Sequence, residues 1–315
     1  MKRKALIISI SGHRLTREEK LLLAKEKPWG LILFERNIKS FKQTQNLIVS
    51  IRKTVKDNKF PILIDEEGGT VSRLKRIFDN KIYSQKYFGD LFKKNSELAL
   101  FFYKYYLSSV LSVLKNLGIN INTVPVLDVL NDRTHKIIGS RSYGKDINII
   151  KKLSNICCKI YEDNKIGNVI KHIPGHGHAK SDSHTSLPVV NKNYKSLYKN
   201  EFKSFKNCNS RFAMTAHILY KNIDNKNSAT QSKLIIKDII RNKLRFRGII
   251  ISDDISMKAL KDDLITNALK SLKAGCNIVL YCKGKATETK MLLKHVPFID
   301  NFTSKKTSEF YKFLR

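Results

Sequence analysis

Four of the chain's eight histidines stand on one stretch, KHIPGHGHAKSDSHTSLP, residues 171–188: His172, His176, His178 and His184. Asp182 precedes the last of them by two residues. Gly175, Gly177 and two prolines exclude a regular helix there. Imidazoles gathered on an irregular loop fit a metal site, an acid/base or a plain polar loop. The spacing His172-x3-His176-x-His178 matches no standard zinc pattern. An acid/base needs only one ring held by a carboxylate, and Asp182 is close enough to hold His184 and raise its pKa. A second candidate is DEEGGTVSR, residues 65–73, in which Asp65 and Arg73 could both hydrogen-bond hydroxyl groups. An ordinary turn with a surface ion pair explains that spacing as well. The third is RGIIISDDISM, residues 247–257. There Asp253 follows an apolar run, as a nucleophile or base would, while an aspartate is also a good helix cap.

These residues share a position relative to the elements that must carry them. Short apolar runs recur at 5–10, 30–34, 61–64, 121–127, 167–170, 212–216, 248–251 and 276–281. Most are rich in Ile, Val and Leu without alternation, the pattern of strands buried on both faces. Amphipathic stretches separate them, with helices expected over 41–55, over 97–117 up to Gly118, and over 257–274 up to Gly275. Eight strands alternating with helices predict an α/β fold, a single (β/α)8 TIM-type barrel, with a doubly wound open sheet as the competing arrangement. We expect one catalytic domain over 1–315, the barrel filling roughly 1–297 and a short tail 298–315. In a barrel, functional side chains gather at the C-terminal ends of the strands. Asp65, Asp128, Lys171 with His172, His217, and Asp253 with Asp254 all follow apolar runs. The Gly175–Gly177 pair suggests a loop able to close over a ligand.

Composition narrows the partners. Five scattered cysteines form no C-x-x-C pair, which points to a reducing compartment rather than a disulfide framework. No run approaches a membrane span, and the apolar run at 5–10 is too short for a signal peptide, so a cytoplasmic location is expected. The formal charge is +33, with lysines spread along the chain and no aromatic-plus-basic motif. Neither a specific nucleic acid nor a membrane is therefore expected as partner. No dinucleotide or phosphate-loop pattern occurs, and no cofactor is expected.

At these residues the chain resembles glycoside hydrolase family 3, and within it the bacterial cytoplasmic β-N-acetylhexosaminidases of peptidoglycan recycling. The stretches that carry the resemblance are GLILFERN, ILIDEEGGTVSRL, VPVLDV, IGSRSYGKD, KHIPGHGHAKSDSHTSLPV, AMTAHILY, GIIISDDISM and AGCNIVLYC, in order along most of the chain. The resemblance implies a (β/α)8 barrel that removes terminal β-linked N-acetylglucosamine from cell-wall fragments with retention of configuration. It implies Asp253 as nucleophile and His184 as acid/base with Asp182 behind it. Sugar contacts are implied at Asp65, Arg73, Arg141, Lys171 and His172, and no metal. The implied partner is a small carbohydrate, an N-acetylglucosaminyl muropeptide fragment. The chain departs from the pattern at Glu66, Thr70 and His178. A rival reading keeps the barrel as a catalytically degenerate sugar-binding or scaffold protein; Asp253, Asp182 and His184 argue against it. Roles for His176, His178 and His217, the oligomeric state and the glucosaminide-over-galactosaminide preference stay open.

Overall fold

The computed structural model describes residues 2–315 except Arg133, Lys180 and His184. Its strands are β1 (Lys4–Ile8), β2 (Pro28–Leu33), β3 (Ile62–Ile64), β4 (Ile121–Asn122), β5 (Gly167–Ile173), β6 (Val189–Val190), β7 (Phe212–Thr215), β8 (Leu219–Tyr220), β9 (Ile249–Asp254) and β10 (Ile278–Leu280). Eight of them close a barrel in the order β1-β10-β9-β7-β5-β4-β3-β2. Every pairing around the ring is parallel. The ring closes where Ile7 of β1 pairs with Leu280 of β10 and Gly30 of β2. β6 and β8 form a separate two-stranded sheet. Each apolar run read from the sequence holds one barrel strand, and the open sheet is excluded.

The helices are α1 (Arg17–Glu26), α2 (Phe41–Val55), α3 (Gln85–Lys94), α4 (Ser96–Leu117), α5 (Ile147–Asp163), α6 (Tyr194–Asn200), α7 (Leu264–Ala274), α8 (Ala286–His295) and α9 (Asn301–Phe313), with a π-helical stretch Ile235–Lys243. Local chemistry sets their ends. Ser40 caps α2, its Oγ accepting the Gln43 N–H, and Leu47, Ile48 and Ile51 turn inward at helical spacing. Gly118 ends α4 at φ 88°, a left-handed conformation that favours glycine. The helix expected over 257–274 begins later, at Leu264. Asp263 accepts from the N–H groups of Ile265 and Thr266 and sets the start there. The preceding turns carry Met257 to the barrel mouth.

Residues 298–315, read from the sequence as a tail, contain α9. Its Phe310 and Phe313 belong to the cluster that fills the barrel, with Trp29, Ile121, Val169 and Phe212. The Phe310 ring meets Phe212 edge-on at 5.1 Å, and Trp29 Nε1 donates to Thr307 Oγ1 at 2.9 Å. Trp29 and Phe212 lie at the N-terminal ends of β2 and β7, so α9 covers the end of the barrel opposite the strand termini that carry the polar residues. Phe310→Ala should cost about 3–5 kcal/mol, the usual loss for a buried phenylalanine, read as a lower urea midpoint without a change in slope.

Candidate active site

At the C-terminal ends of the strands lies a pocket of about 320 Å³. Six of the eight expected site residues line it: Asp65, Arg73, Arg141, Lys171, His172 and Asp253. Ser183, next to Asp182, lines it too, and Phe34, Met257 and Cys282 supply apolar wall. His184 lies outside the described residues. Asp65 is the first residue past β3, Lys171 and His172 are part of β5, and Asp253 is part of β9. The barrel thus aims residues far apart in sequence into one space.

A buried ammonium organises one side of it. Lys171 Nζ stands 3.1 Å from Asp65 Oδ1, 2.8 Å from Thr123 Oγ1 and 2.5 Å from Glu67 Oε1. Its three N–H bonds have three acceptors within the protein. Thr123 donates onward to Asp65. Arg141 grips Glu67 with two parallel bonds, Nε to Oε2 at 2.8 Å and Nη2 to Oε1 at 2.9 Å. Arg73 reaches Asp65 Oδ2 at 3.5 Å. Burial works to raise the pKa of Asp65, but Lys171 and Arg73 outweigh it and hold the carboxyl far below its ordinary range. Burial likewise opposes ionisation of Glu67, yet Arg141 and Lys171 bring its pKa down to about 2. Burial pulls against the charge of Arg141, and Glu67 raises its pKa above the usual value.

The sequence reading missed Glu67. Three consecutive acids follow β3, and the strand's alternation decides among them. Asp65 and Glu67 face the pocket. Glu66 points away, its Oε2 accepting the N–H groups of Arg73 and Leu74 and its Oε1 the amide of Asn80. Glu66 therefore ties down the loop that carries Arg73, and burial without a cation raises its pKa.

Asp128 fixes the start of the histidine loop. One oxygen accepts the main-chain N–H groups of His172 at 3.2 Å and His176 at 2.8 Å. The other takes His172 Nδ1 at 2.7 Å, leaving Nε2 to face Arg141 Nη2 at 3.4 Å. His176 is buried, and desolvation with the neighbouring His172 brings its pKa down to about 4, so its ring is neutral. His178 Nδ1 meets Glu201 Oε2 at 2.8 Å, and Glu201 also accepts the Gly177 N–H. Among the described residues, no group of three or more His, Cys, Asp or Glu is placed to hold a metal ion. Packing requires both glycines in this conformation. A Cβ on Gly175 would sit 2.3 Å from Glu201 Cγ, and one on Gly177 would sit 1.8 Å from the Val129 carbonyl oxygen. Nothing in the sequence ties Glu201 to this loop, because the link is made through space.

The two aspartates of β9 differ. Asp253 Oδ1 accepts the Asp254 N–H at 2.8 Å. The Asp254 carboxylate accepts Ser256 Oγ at 2.7 Å, Ser256 N at 3.1 Å and Cys282 N at 3.2 Å, and burial raises its pKa. Asp254 thus holds the following turn together. The main-chain N–H of Ala259 donates to Ser183 O at 3.1 Å, joining the segment after β9 to the histidine loop.

Known proteins share this sequence and shape. The Glycosyl hydrolase family 3 N terminal domain matches residues 2–303. A β-hexosaminidase of Nitrosomonas eutropha is 30% identical over 292 residues, covering 91% of this chain and 83% of its own. That of Haemophilus influenzae is 32% identical over 286 residues, covering 88% and 79%. NagZ from Neisseria gonorrhoeae, solved with N-trifluoroacetyl-D-glucosamine, superposes with a TM-score of 0.88 at 26% identity, over 100% of this chain and 90% of that one. The same protein has been solved with a zinc ion.

The buried ion pairs predict how the fold responds to acid. The folded pKa of Glu67, about 2, lies below its ordinary 4.5. Its contribution is therefore fully present above pH 4.5 and is lost as the pH falls toward 2. Glu67→Gln leaves Lys171 and Arg141 without this anion and should cost about 3–5 kcal/mol at neutral pH. It should also flatten the acid limb of a plot of melting temperature against pH.

Proposed function

The chain belongs to glycosyl hydrolase family 3 and is a β-hexosaminidase-type glycoside hydrolase; from that premise we propose that it removes terminal β-linked N-acetylglucosamine from cell-wall fragments with retention of configuration. The observation that carries the reading is the shared pocket. Asp253 stands in the same space as the Asp65, Lys171, Glu67 and Arg141 array with His172. Such an array suits a ring bearing several hydroxyls, since charged donors and acceptors alternate around it. The ligand named for the gonococcal protein, an N-acylated glucosamine analogue, supports an N-acyl amino sugar as the group bound here.

In the first step an Asp253 carboxylate oxygen attacks the anomeric carbon. The bond to the leaving oxygen breaks, and His184 delivers a proton to that oxygen. In the second step His184 takes a proton from water, water attacks the anomeric carbon, and Asp253 is released as carboxylate. Asp182 supports the imidazole through the cycle. Asp65, Arg73, Arg141 and His172 contact the sugar, and Lys171 holds Asp65 and Glu67 in place with two of its three N–H bonds, the third going to Thr123. An imidazole has its ordinary pKa near neutrality, so it can both give and take a proton. When neutral it adds no second anion beside Asp253. Among the described residues no helix is long and apolar enough to cross a membrane. A cytoplasmic supply of small muropeptide fragments would suit a pocket of this size.

Asp253→Ala should abolish turnover of an aryl N-acetyl-β-glucosaminide while circular dichroism stays native; full activity in that variant refutes the assignment. His184→Ala should slow disaccharide cleavage by about 10²–10⁴-fold, the worth of general acid help, and spare only the first release of an activated phenol, seen as a burst, because water attack on the glycosyl-enzyme still lacks its base. Asp182→Asn should show a weaker form of the same split, and equal losses on both substrates with no burst would assign His184 to binding. The zinc-bound neighbour gives chelation a specific meaning. Activity should survive exhaustive EDTA treatment, and loss of activity restored by zinc would make the metal essential.

A further inference from the structure

His217 follows β7 and is fully buried beneath the aspartates of β9. Its Nε2 lies 3.0 Å from the main-chain carbonyl oxygen of Asp254, and its Nδ1 lies 2.7 Å from Thr230 Oγ1. A carbonyl oxygen only accepts, so Nε2 carries the proton. Desolvation lowers the pKa of the ring, although the charge of Asp253 works the other way. The imidazole is thus neutral, and its Nδ1 is a bare lone pair. Thr230 must donate to it. Thr230 Oγ1 also lies 2.8 Å from Thr215 Oγ1 and 3.1 Å from Ala216 O. The single Thr230 proton can serve Nδ1 or Ala216 O but not both; placed in the shorter contact at Nδ1, it leaves the Ala216 contact without a proton and Thr230 accepting from Thr215. The chain Thr215, Thr230, His217, Asp254 C=O therefore has one consistent direction, and no water is needed to complete it.

The far end of that chain is the residue whose N–H holds Asp253 Oδ1 at 2.8 Å. Asp254 is gripped at its carbonyl by His217 and at its carboxylate by Ser256 and the Cys282 N–H. The carbonyl lies in the peptide that follows the Asp254 Cα and the N–H in the peptide that precedes it, so the two grips pin the residue on both sides of the torsions that direct its N–H at Asp253. We propose that His217 is a positioning residue for the nucleophile, its neutral Nε2–H locking Asp254 so that the Asp254 N–H aims the Asp253 carboxylate at the anomeric carbon. This rests on Asp253 being the nucleophile. A histidinium at the same place would also draw on the carboxylate's charge and weaken its attack; the neutral ring orients without doing so.

Two amide substitutions separate orientation from simple packing. The glutamine amide of His217→Gln can place an N–H where Nε2–H stands, whereas the shorter amide of His217→Asn reaches Thr230 but not the Asp254 carbonyl. Rates with an activated aryl N-acetyl-β-glucosaminide, melting temperatures, and the rate of covalent labelling by a slowly hydrolysed fluorinated glycoside would be measured. His217→Asn should lower kcat by about 10²-fold, the effect of a misplaced reacting group, with KM nearly unchanged and labelling slowed in parallel. His217→Gln should recover on the order of tenfold, the worth of one hydrogen bond, at a melting temperature like that of the Asn variant. Thr230→Val, which leaves the ring in place but removes the donor to Nδ1, should show an intermediate loss of kcat. If the Asn variant is labelled at the wild-type rate, or if both variants lose activity in step with melting temperature, His217 has only a structural role. Mapping the label on the wild-type protein distinguishes the two failures. A label on Asp253 keeps the nucleophile and isolates the question of His217, and a label on another residue overturns both.

Discussion

The burial of the Lys171 ammonium is the constraint around which the site is built. A charge withdrawn from water is tolerated only when it is paired and its hydrogen bonds are satisfied. Asp65, Glu67 and Thr123 meet that demand from two neighbouring strand ends. This requires β3, β4 and β5 to lie side by side in register, as they do when Ile64 pairs with Asn122 and Asn122 with Asn168. A slip of one residue would turn Asp65 out of the pocket and bring Glu66 in. The polar site thus selects among registers that hydrophobic burial alone would leave close in energy.

The same network places the adjoining parts. Glu67 needs more than its share of Lys171, and Arg141 supplies the rest through a bidentate pair. That pair draws the Gly139–Arg141 turn over the pocket. Arg141 then lies beside His172, whose other nitrogen is held by Asp128. Asp128 in turn takes the main-chain N–H of His176 and begins the histidine loop. The charged groups of the pocket wall are therefore held by one another and by backbone within the protein itself. Such preorganisation is what electrostatic stabilisation of a developing charge requires.

Much of this was legible in the sequence, for identifiable reasons. The eight apolar runs announced the barrel strands because strands covered on both faces carry a continuous signal. The residues following those runs announced the site because a barrel gathers strand ends on one face. What was hidden depended on contacts through space. Glu201 lies on no motif and acts on the loop only through Gly177 and His178. Glu67 was visible as one of three acids, but its inward direction depends on strand alternation continuing past the end of β3. The late start of α7 was obscured because Met257 and Leu260 keep a helical spacing of apolar residues while serving the pocket and the core instead. The role of α9 was hidden because Phe310 and Phe313 look like an ordinary amphipathic stripe, and only the open end of a barrel makes them a closure.

The four described histidines around the pocket show why residue type alone could not decide the chemistry. His172 is tied to an anionic carboxylate at one nitrogen and points the other at Arg141. His176 is neutral through burial beside another ring. His178 faces Glu201, whose pKa is raised by burial, and serves to anchor the loop. His217 is locked as a single tautomer between a hydroxyl and a carbonyl. One side chain thus does four kinds of work, set in each case by what meets its two nitrogens. A proton-transferring ring must be free to change its charge without tearing a buried network. His172, His176 and His217 are each set in such a network, whereas His178 is held by one carboxylate, that of Glu201, beside the Gly177 N–H. Beyond these anchors Ser183, next to Asp182, lines the pocket and accepts the Ala259 N–H, so the far part of the loop is tied to the segment that follows Asp253.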